Sequence, residues 1–235
     1  MRVVKKSFSV LSLLIFTVSW CFGQVNFSTG ENLFMHNKPA EAKIYLENAI
    51  IEDPSNIKAY LYLGIVYEQL NMADEAIAVY RQILDRAGDL TANVANNLGN
   101  AYFKKDNITE AETAYTRALE ANRMFTAAYL GRANTRIKRG LLREAVTDYE
   151  QYLLLEPYAA QRSAITNVIA LIKAEFAEAE RRRLAAEEQA RIEAERRKRL
   201  LDEVSASLQG AAGASQGLSS GAENVEGYAG EFELE

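Results

Sequence analysis

Four alanines, Ala42, Ala76, Ala111 and Ala145, fall 34, 35 and 34 residues apart, and their surroundings recur with them. Twelve positions before each stands Gly30, Gly64, Gly99 or Ala133; four after it stands Leu46, Tyr80, Tyr115 or Tyr149; twelve after it stands Pro54, Gly88, Arg123 or Pro157. Compare YLYLGIVYEQLNMADEAIAVYRQIL, residues 60–84, with ANNLGNAYFKKDNITEAETAYTRAL, residues 95–119. A shared period of this length marks one unit copied in tandem. A unit so short cannot bury its apolar face alone, so neighbouring copies must stack and complete one another's core.

The unit reads as a helical hairpin. The chain has only three prolines, Pro39, Pro54 and Pro157, and long runs of Ala, Leu, Glu, Arg and Lys, which favour helix over strand. Two helices lying side by side need small residues where their axes approach. A Gly or Ala on the first helix is therefore expected to meet the Ala on the second. Tyr67, Tyr80, Tyr102, Tyr115, Tyr129 and Tyr149 are placed to fill the space between hairpins, and Pro54 and Pro157 to end their helices.

These residues at these offsets resemble the tetratricopeptide repeat, a 34-residue helix-turn-helix unit. The resemblance covers about residues 23 to 159 and implies an all-α, right-handed α-solenoid of four repeats, near 24–56, 57–90, 92–125 and 126–159. Copies two and three fit best. Copy one has Asn26 where the family favours Trp or another large residue and Leu33 for the usual Tyr, and copy four has Arg132 and Arg136 where Leu and Tyr are common. The end of such a stack needs a cap, and Ile165, Val168, Ile169, Ile172 and Phe176, at helical spacing, supply one.

In the family the first helices line a concave groove that accepts a peptide or a partner's segment. Carried over by motif position, that groove holds Lys58, Leu61, Tyr62 and Ile65 from copy two. Copy three contributes Asn93, Asn96, Asn97, Asn100 and Phe103, and copy four Leu130, Asn134 and Lys138. The face is rich in asparagine, whose amide offers two donors and an acceptor and can pair with any peptide backbone. Some family members clamp a chaperone's C-terminal carboxylate with Lys, Asn and Arg. Asn97 matches the Asn position, but Ala127 and Gly131 stand where Lys and Arg are needed.

The flanks carry different signals. Arg2, Lys5 and Lys6 precede an uncharged apolar run from Ser7 to Phe22 and then Gly23, the pattern of a secretory signal peptide over 1–23. Cleavage there removes three basic residues and no acidic one from a chain whose net charge is already −5. An acidic product lacks the basic face that nucleic acid requires. Cys21, the only cysteine, sits after Val18-Ser19-Trp20 in a loose likeness of a lipoprotein processing site, with bulky Trp20 where a small residue belongs. An uncleaved anchor and a lipid on Cys21 both stay open.

Residues 160–208 read as a capping helix running into a long charged one, without Gly or Pro from Lys173 to Glu203. Glu178–Arg182, Glu187–Arg191, Glu193–Arg197 and Glu195–Arg199 have the favourable order for pairs four apart. The heptad from Ile165 passes through Ile172, Ala179 and Ala186 to Glu193 and Leu200, so its apolar stripe fades and a monomeric spacer is favoured over a coiled-coil dimer. Residues 209–235, rich in Gly, Ser and Ala and then in Glu, read as a flexible acidic tail.

No catalytic constellation stands out. His36 is the single histidine and no cysteine follows Cys21, which leaves no Cys/His zinc set and no Ser-His-Asp triad. No glycine-rich phosphate loop occurs, and no cofactor is implied. The expectation is a non-catalytic scaffold or adaptor, exported to a bacterial periplasm, that binds protein or peptide partners. A membrane-anchored envelope assembly factor and a small-ligand carrier associated with a transporter are the alternatives.

Overall fold

The computed structural model describes residues 25–222. The expected signal segment, residues 1–23 with Cys21, and residues 223–235 of the expected acidic tail lie outside the described residues. The chain divides into two compact units, one ending at Ile172 and one beginning at Lys173.

In the first unit, helix α1 spans 25–35 and α2 Pro39–Glu52; α3 spans Ile57–Gln69 and α4 Ala73–Ile83. Helices α5 (Thr91–Lys104) and α6 (Ile108–Ala121) follow, then α7 (Thr126–Lys138) and α8 (Leu142–Leu155). Helix α9, Arg162–Ala222, starts in this unit. From α2 to α8 each helix packs on the next, while α3 meets α5 and α5 meets α7, so the first helices of successive hairpins lie side by side as one layer. This is the expected four-repeat α-solenoid. Two 3-10 turns, Leu84–Arg86 and Gly88–Leu90, join copies two and three and accommodate the one-residue lengthening of the period there.

Every hairpin turns in the same way. Asn37, Asn71, Asp106 and Gly140 have φ of 54°, 60°, 60° and 73°, and each stands five residues before its repeat's alanine. The next residue's N–H closes back on a carbonyl five residues earlier: Lys38 on Leu33, Met72 on Tyr67, Asn107 on Tyr102 and Leu141 on Arg136, at 2.8–3.0 Å. This bond and the left-handed residue before it form a Schellman cap, which satisfies the end of the first helix while reversing the chain. Asn, Asp and Gly are the residue types that enter the left-handed region at least cost.

Besides the expected Gly-to-Ala crossing, the small residues make room for a third side chain. A Cβ on Gly99 would stand 2.7 Å from Cδ1 of Tyr115, and one on Gly64 2.2 Å from Cε1 of Tyr80. The glycines make room for the aromatic four residues beyond the alanine, and Tyr115 is wedged from its other side as well, because a Cβ on Gly131 would lie 2.4 Å from its Cε1. Tyr80, Tyr115 and Leu46 are among the largest fully buried side chains.

Arg132 and Arg136, the departures in copy four, form an ion network. Arg132 grips Asp148 through Nε and Nη2 at 2.9 and 2.7 Å, and Arg136 reaches Asp148 at 2.7 Å and Glu112 at 2.9 Å. Arg139 also pairs with Glu112. Charge thus joins α6, α7 and α8 where other repeats use apolar side chains. Beyond α8, Ile165, Ile169 and Ile172 are buried as a cap should be, Val168 is 37% exposed, and Arg162 donates to the Leu153 and Pro157 carbonyls. Phe176 belongs to the second unit.

In that second unit α9 continues through Ala222, past Gln209, where the Gly/Ser/Ala composition suggested loss of helix. Alanines at 211, 212 and 214 and the absence of proline sustain the helix that the glycines weaken. Its ion pairs also differ from the simple four-apart reading. Glu178 pairs with Arg182, but Glu187 takes Arg183 at 2.7 Å and Arg191 takes Glu188 at 2.8 Å. Glu193–Arg197 and Glu195–Arg199 do not form: exposed pairs of this kind are worth only a few tenths of a kcal/mol, about 0.3–0.5 kcal/mol, too little to fix a choice of partner.

Candidate functional site

Between α5 and α7 lies a cleft of about 280 Å3 lined by Asn96, Asn100, Phe103, Tyr115, Ala127, Leu130, Gly131 and Asn134. Five of the twelve groove residues read from the sequence meet here: Asn96, Asn100, Phe103, Leu130 and Asn134. They come together because α5 and α7 are neighbours in the layer of first helices, one repeat apart.

The polar groups of the cleft are already partly committed, and that sets what it can still do. The Tyr115 hydroxyl donates to Asn100 Oδ1 at 2.7 Å, and the Tyr149 hydroxyl to Asn134 Oδ1 at 2.6 Å. Burial, and then the negative charge of Glu68, push the Tyr115 hydroxyl well above the usual tyrosine range, so it stays protonated as a donor. Each amide oxygen thus already accepts one hydrogen bond, and both amide NH2 groups remain for a ligand. Asn96 is the reverse. It is 6% exposed, its Nδ2 reaches Asn97 Oδ1 at 3.3 Å, and its buried Oδ1 has no hydrogen-bond partner. A buried acceptor left unmet costs about 1–3 kcal/mol.

The cleft therefore presents two amide donors between the apolar side chains of Phe103 and Leu130, with no charged side chain in its lining, while the Asn96 Oδ1 is closed off from its surface. Two such donors suit the carbonyl groups of an uncharged peptide backbone.

The other seven groove residues are placed elsewhere. Leu61 is buried in the core. Tyr62 stacks on Phe27 and Phe34 of α1, at centroid separations of 6.1 and 5.1 Å, and Ile65 packs against the core cluster of α3–α5. Asn97 occupies the repeat position that holds Gly131 in copy four and hydrogen-bonds Tyr80, whose hydroxyl also donates to Glu68 at 2.7 Å. Lys138 pairs with Asp106 at 2.8 Å and lies over the Phe103 ring at 4.8 Å, which fixes that ring at the cleft's edge. Lys58 and Asn93 are not among the cleft's lining. Tyr115, Ala127 and Gly131 are lining residues that the groove reading left out, although Ala127 and Gly131 drew notice as departures from the carboxylate clamp.

A larger groove, about 780 Å3, runs along α4 and α6 over Leu84, Leu98, Tyr102 and Ala114. Its rim mixes charges of both signs, with Arg117 paired to Asp85 and Arg139 to Glu112. Among the described residues no group of three or more His, Cys, Asp or Glu could hold a metal ion.

Stacked helical hairpins with a cleft on the layer of first helices define a solenoid of the protein-interaction class. Profiles described as tetratricopeptide repeat match residues 33–100 and 92–125. The chain belongs to the tetratricopeptide repeat family.

Human RNA polymerase II-associated protein 3 is 31% identical over 130 residues, covering 55% of this chain. The match takes in 18% of that protein, so the chain spans less than a fifth of its relative's length. Among solved structures, MamA superposes with a TM-score of 0.60 at 20% identity, over 68% of this chain and 87% of MamA. YrrB, described as a TPR protein with an unusual peptide-binding site, gives 0.54 at 24% identity, over 63% of this chain and 76% of YrrB.

Proposed function

We propose that this chain is a non-catalytic scaffold or adaptor, exported to a bacterial cell envelope, that binds an extended, uncharged stretch of a partner protein in the α5–α7 cleft. The observation that carries this reading is the pair of amide NH2 groups on Asn100 and Asn134 in a cleft lined by Phe103 and Leu130 and by no charged side chain. Their oxygens accept from Tyr115 and Tyr149, which orients the NH2 groups to donate to carbonyls of a ligand. The lack of any cation in the lining argues against a C-terminal carboxylate as the group recognised. Export is supported by Arg2, Lys5 and Lys6 ahead of the apolar run and Gly23.

Affinity capture from the native host, followed by calorimetry on segments of the captured partner, tests the cleft. Asn100→Ala with Asn134→Ala is expected to weaken binding by about tenfold or more, as the loss of two hydrogen bonds predicts. Unchanged affinity in that variant, with loss on removing residues after Ile172, would place the interaction outside the cleft. Mass spectrometry of the mature N-terminus tests export: Gln24 marks cleavage to a free chain, and acylated Cys21 an anchored one.

A further inference from the structure

The charged helix of the second unit ends in a segment of different character. Arg196, Arg197, Lys198 and Arg199 are four successive exposed cations without an ion pair among the described residues, since the expected partners Glu193 and Glu195 do not engage them. Immediately after them, Leu200, Leu201, Val204 and Leu208 are 52%, 61%, 55% and 66% exposed. At 3.6 residues per turn these four fall within about 100° of the helix circumference. Arg197 lies in the same sector, and Arg196 and Lys198 flank it on either side.

Two occupants could cover such a face, and the charges choose between them. As a seam for a second copy, Leu201, Val204 and Leu208 make fewer than two heptads, short of the roughly three to four that a coiled coil sustains. A parallel pairing in register would also set the four cations of one copy against the same four of the other. A surface of anionic lipid meets both features at once: its headgroups neutralise the cations while the leucines enter the headgroup-acyl boundary. No described helix is long and apolar enough to cross a membrane, so such a contact lies along the surface.

We infer that residues 196–208 of α9 are a docking segment for an anionic membrane surface, independent of the cleft and of anything at the N-terminus. The test uses the full chain carrying Leu208→Trp, with the unsubstituted chain supplying the background from Trp20. Vesicles of phosphatidylglycerol and phosphatidylcholine should shift the emission of the introduced indole to the blue, and phosphatidylcholine alone should not. Replacing Arg196, Arg197, Lys198 and Arg199 by Gln, which preserves helix propensity, should weaken the response by about tenfold or more, as should high salt. Circular dichroism of the variants checks that α9 remains helical. Absence of a shift, or an equal shift on neutral vesicles, overturns the inference. A shift that grows with protein concentration in buffer alone assigns the face to a second copy, and one produced by poly-glutamate without lipid assigns it to an acidic polypeptide; either also overturns it.

Discussion

Arg132 holds Asp148 through two parallel hydrogen bonds, and the Asp148 side chain is 2% exposed. Arg136 completes the cage from one turn along the same helix. The fourth repeat is thus fastened by a buried, bidentate ion network, which is favourable only while every member is present. Asp148→Ala leaves the largely buried Arg132 without its counter-ion and Arg136 with Glu112 alone, and should cost about 3–5 kcal/mol. Urea unfolding followed by circular dichroism would register it, and an unchanged midpoint would show that the network contributes nothing.

Glu112 adds a pH dependence to the same joint. Burial alone would push its carboxyl up, but hydrogen bonds and charge from Arg136 and Arg139 outweigh it and hold the carboxyl below the usual 4.5. A carboxyl depressed in the folded state contributes stability that is fully present above its unfolded value and is lost as pH falls through its folded one. Stability should therefore decline below about pH 4.5 more steeply in the native chain than in Glu112→Gln. Parallel slopes in a pH series of urea midpoints would contradict the assignment.

The ring of Tyr115 fills the gap between Gly99 and Gly131. Gly131→Ala places a methyl where only 2.4 Å is free, and overpacking of this kind costs about 1–3 kcal/mol. Pairing it with Tyr115→Leu should recover part of that loss, so the double variant will be less destabilised than the two single effects combined. Strict additivity in thermal melts would mean that the ring and the glycine do not meet.

Asn96→Leu removes a buried acceptor that has no partner. The melting temperature should therefore hold or rise, by an amount equivalent to about 1 kcal/mol. A variant that melts lower would show that Asn96 supports the fold instead.

Gly140 takes φ of 73° at a hairpin turn with open space around its Cα, so Gly140→Ala meets only backbone strain. That should cost about 1–2 kcal/mol in a thermal or urea melt. Asn71→Gly, at φ of 60°, should cost nothing or gain slightly, although it also loses the 2.7 Å bond from Lys104 to the Asn71 side chain. Equal losses at the two turns would mean that the left-handed backbone is not what selects these residues.

The repeat architecture was legible because its signal is redundant: a misread position in one copy is corrected by three others. The turns show where redundancy hides. Asn37, Asn71, Asp106 and Gly140 stand at one offset, yet they look unlike as residues and are united only by tolerance of a left-handed backbone. The ring beside Gly99 is hidden for a similar reason. Spacing says that Gly99 and Ala111 share a crossing, but it does not say that the Tyr115 ring folds back into the space between helices. In the cleft, asparagines could be read as a class, but not the division of labour among them. Whether an amide oxygen is free depends on a tyrosine fifteen residues away, as with Asn100 and Tyr115, and no local pattern carries that. The ion pairs of α9 were least legible, since several partners of nearly equal energy compete along one exposed face.

The joints of the solenoid are built from different materials, and they should not open together. Between copies one and two the joint is an aliphatic cluster, Leu46 with Leu63 and Val66, flanked by stacked rings, Tyr62 on Phe27 and Phe34. Between copies three and four, one tyrosine ring is gripped by glycines from both hairpins, so neither hairpin can detach without baring it. Amide exchange should accordingly report copies three and four protected to a common depth, as one cooperative block, with the first hairpin exchanging by an earlier, separate opening. A partner seated between α5 and α7 would then be held by the most slowly opening part of the array.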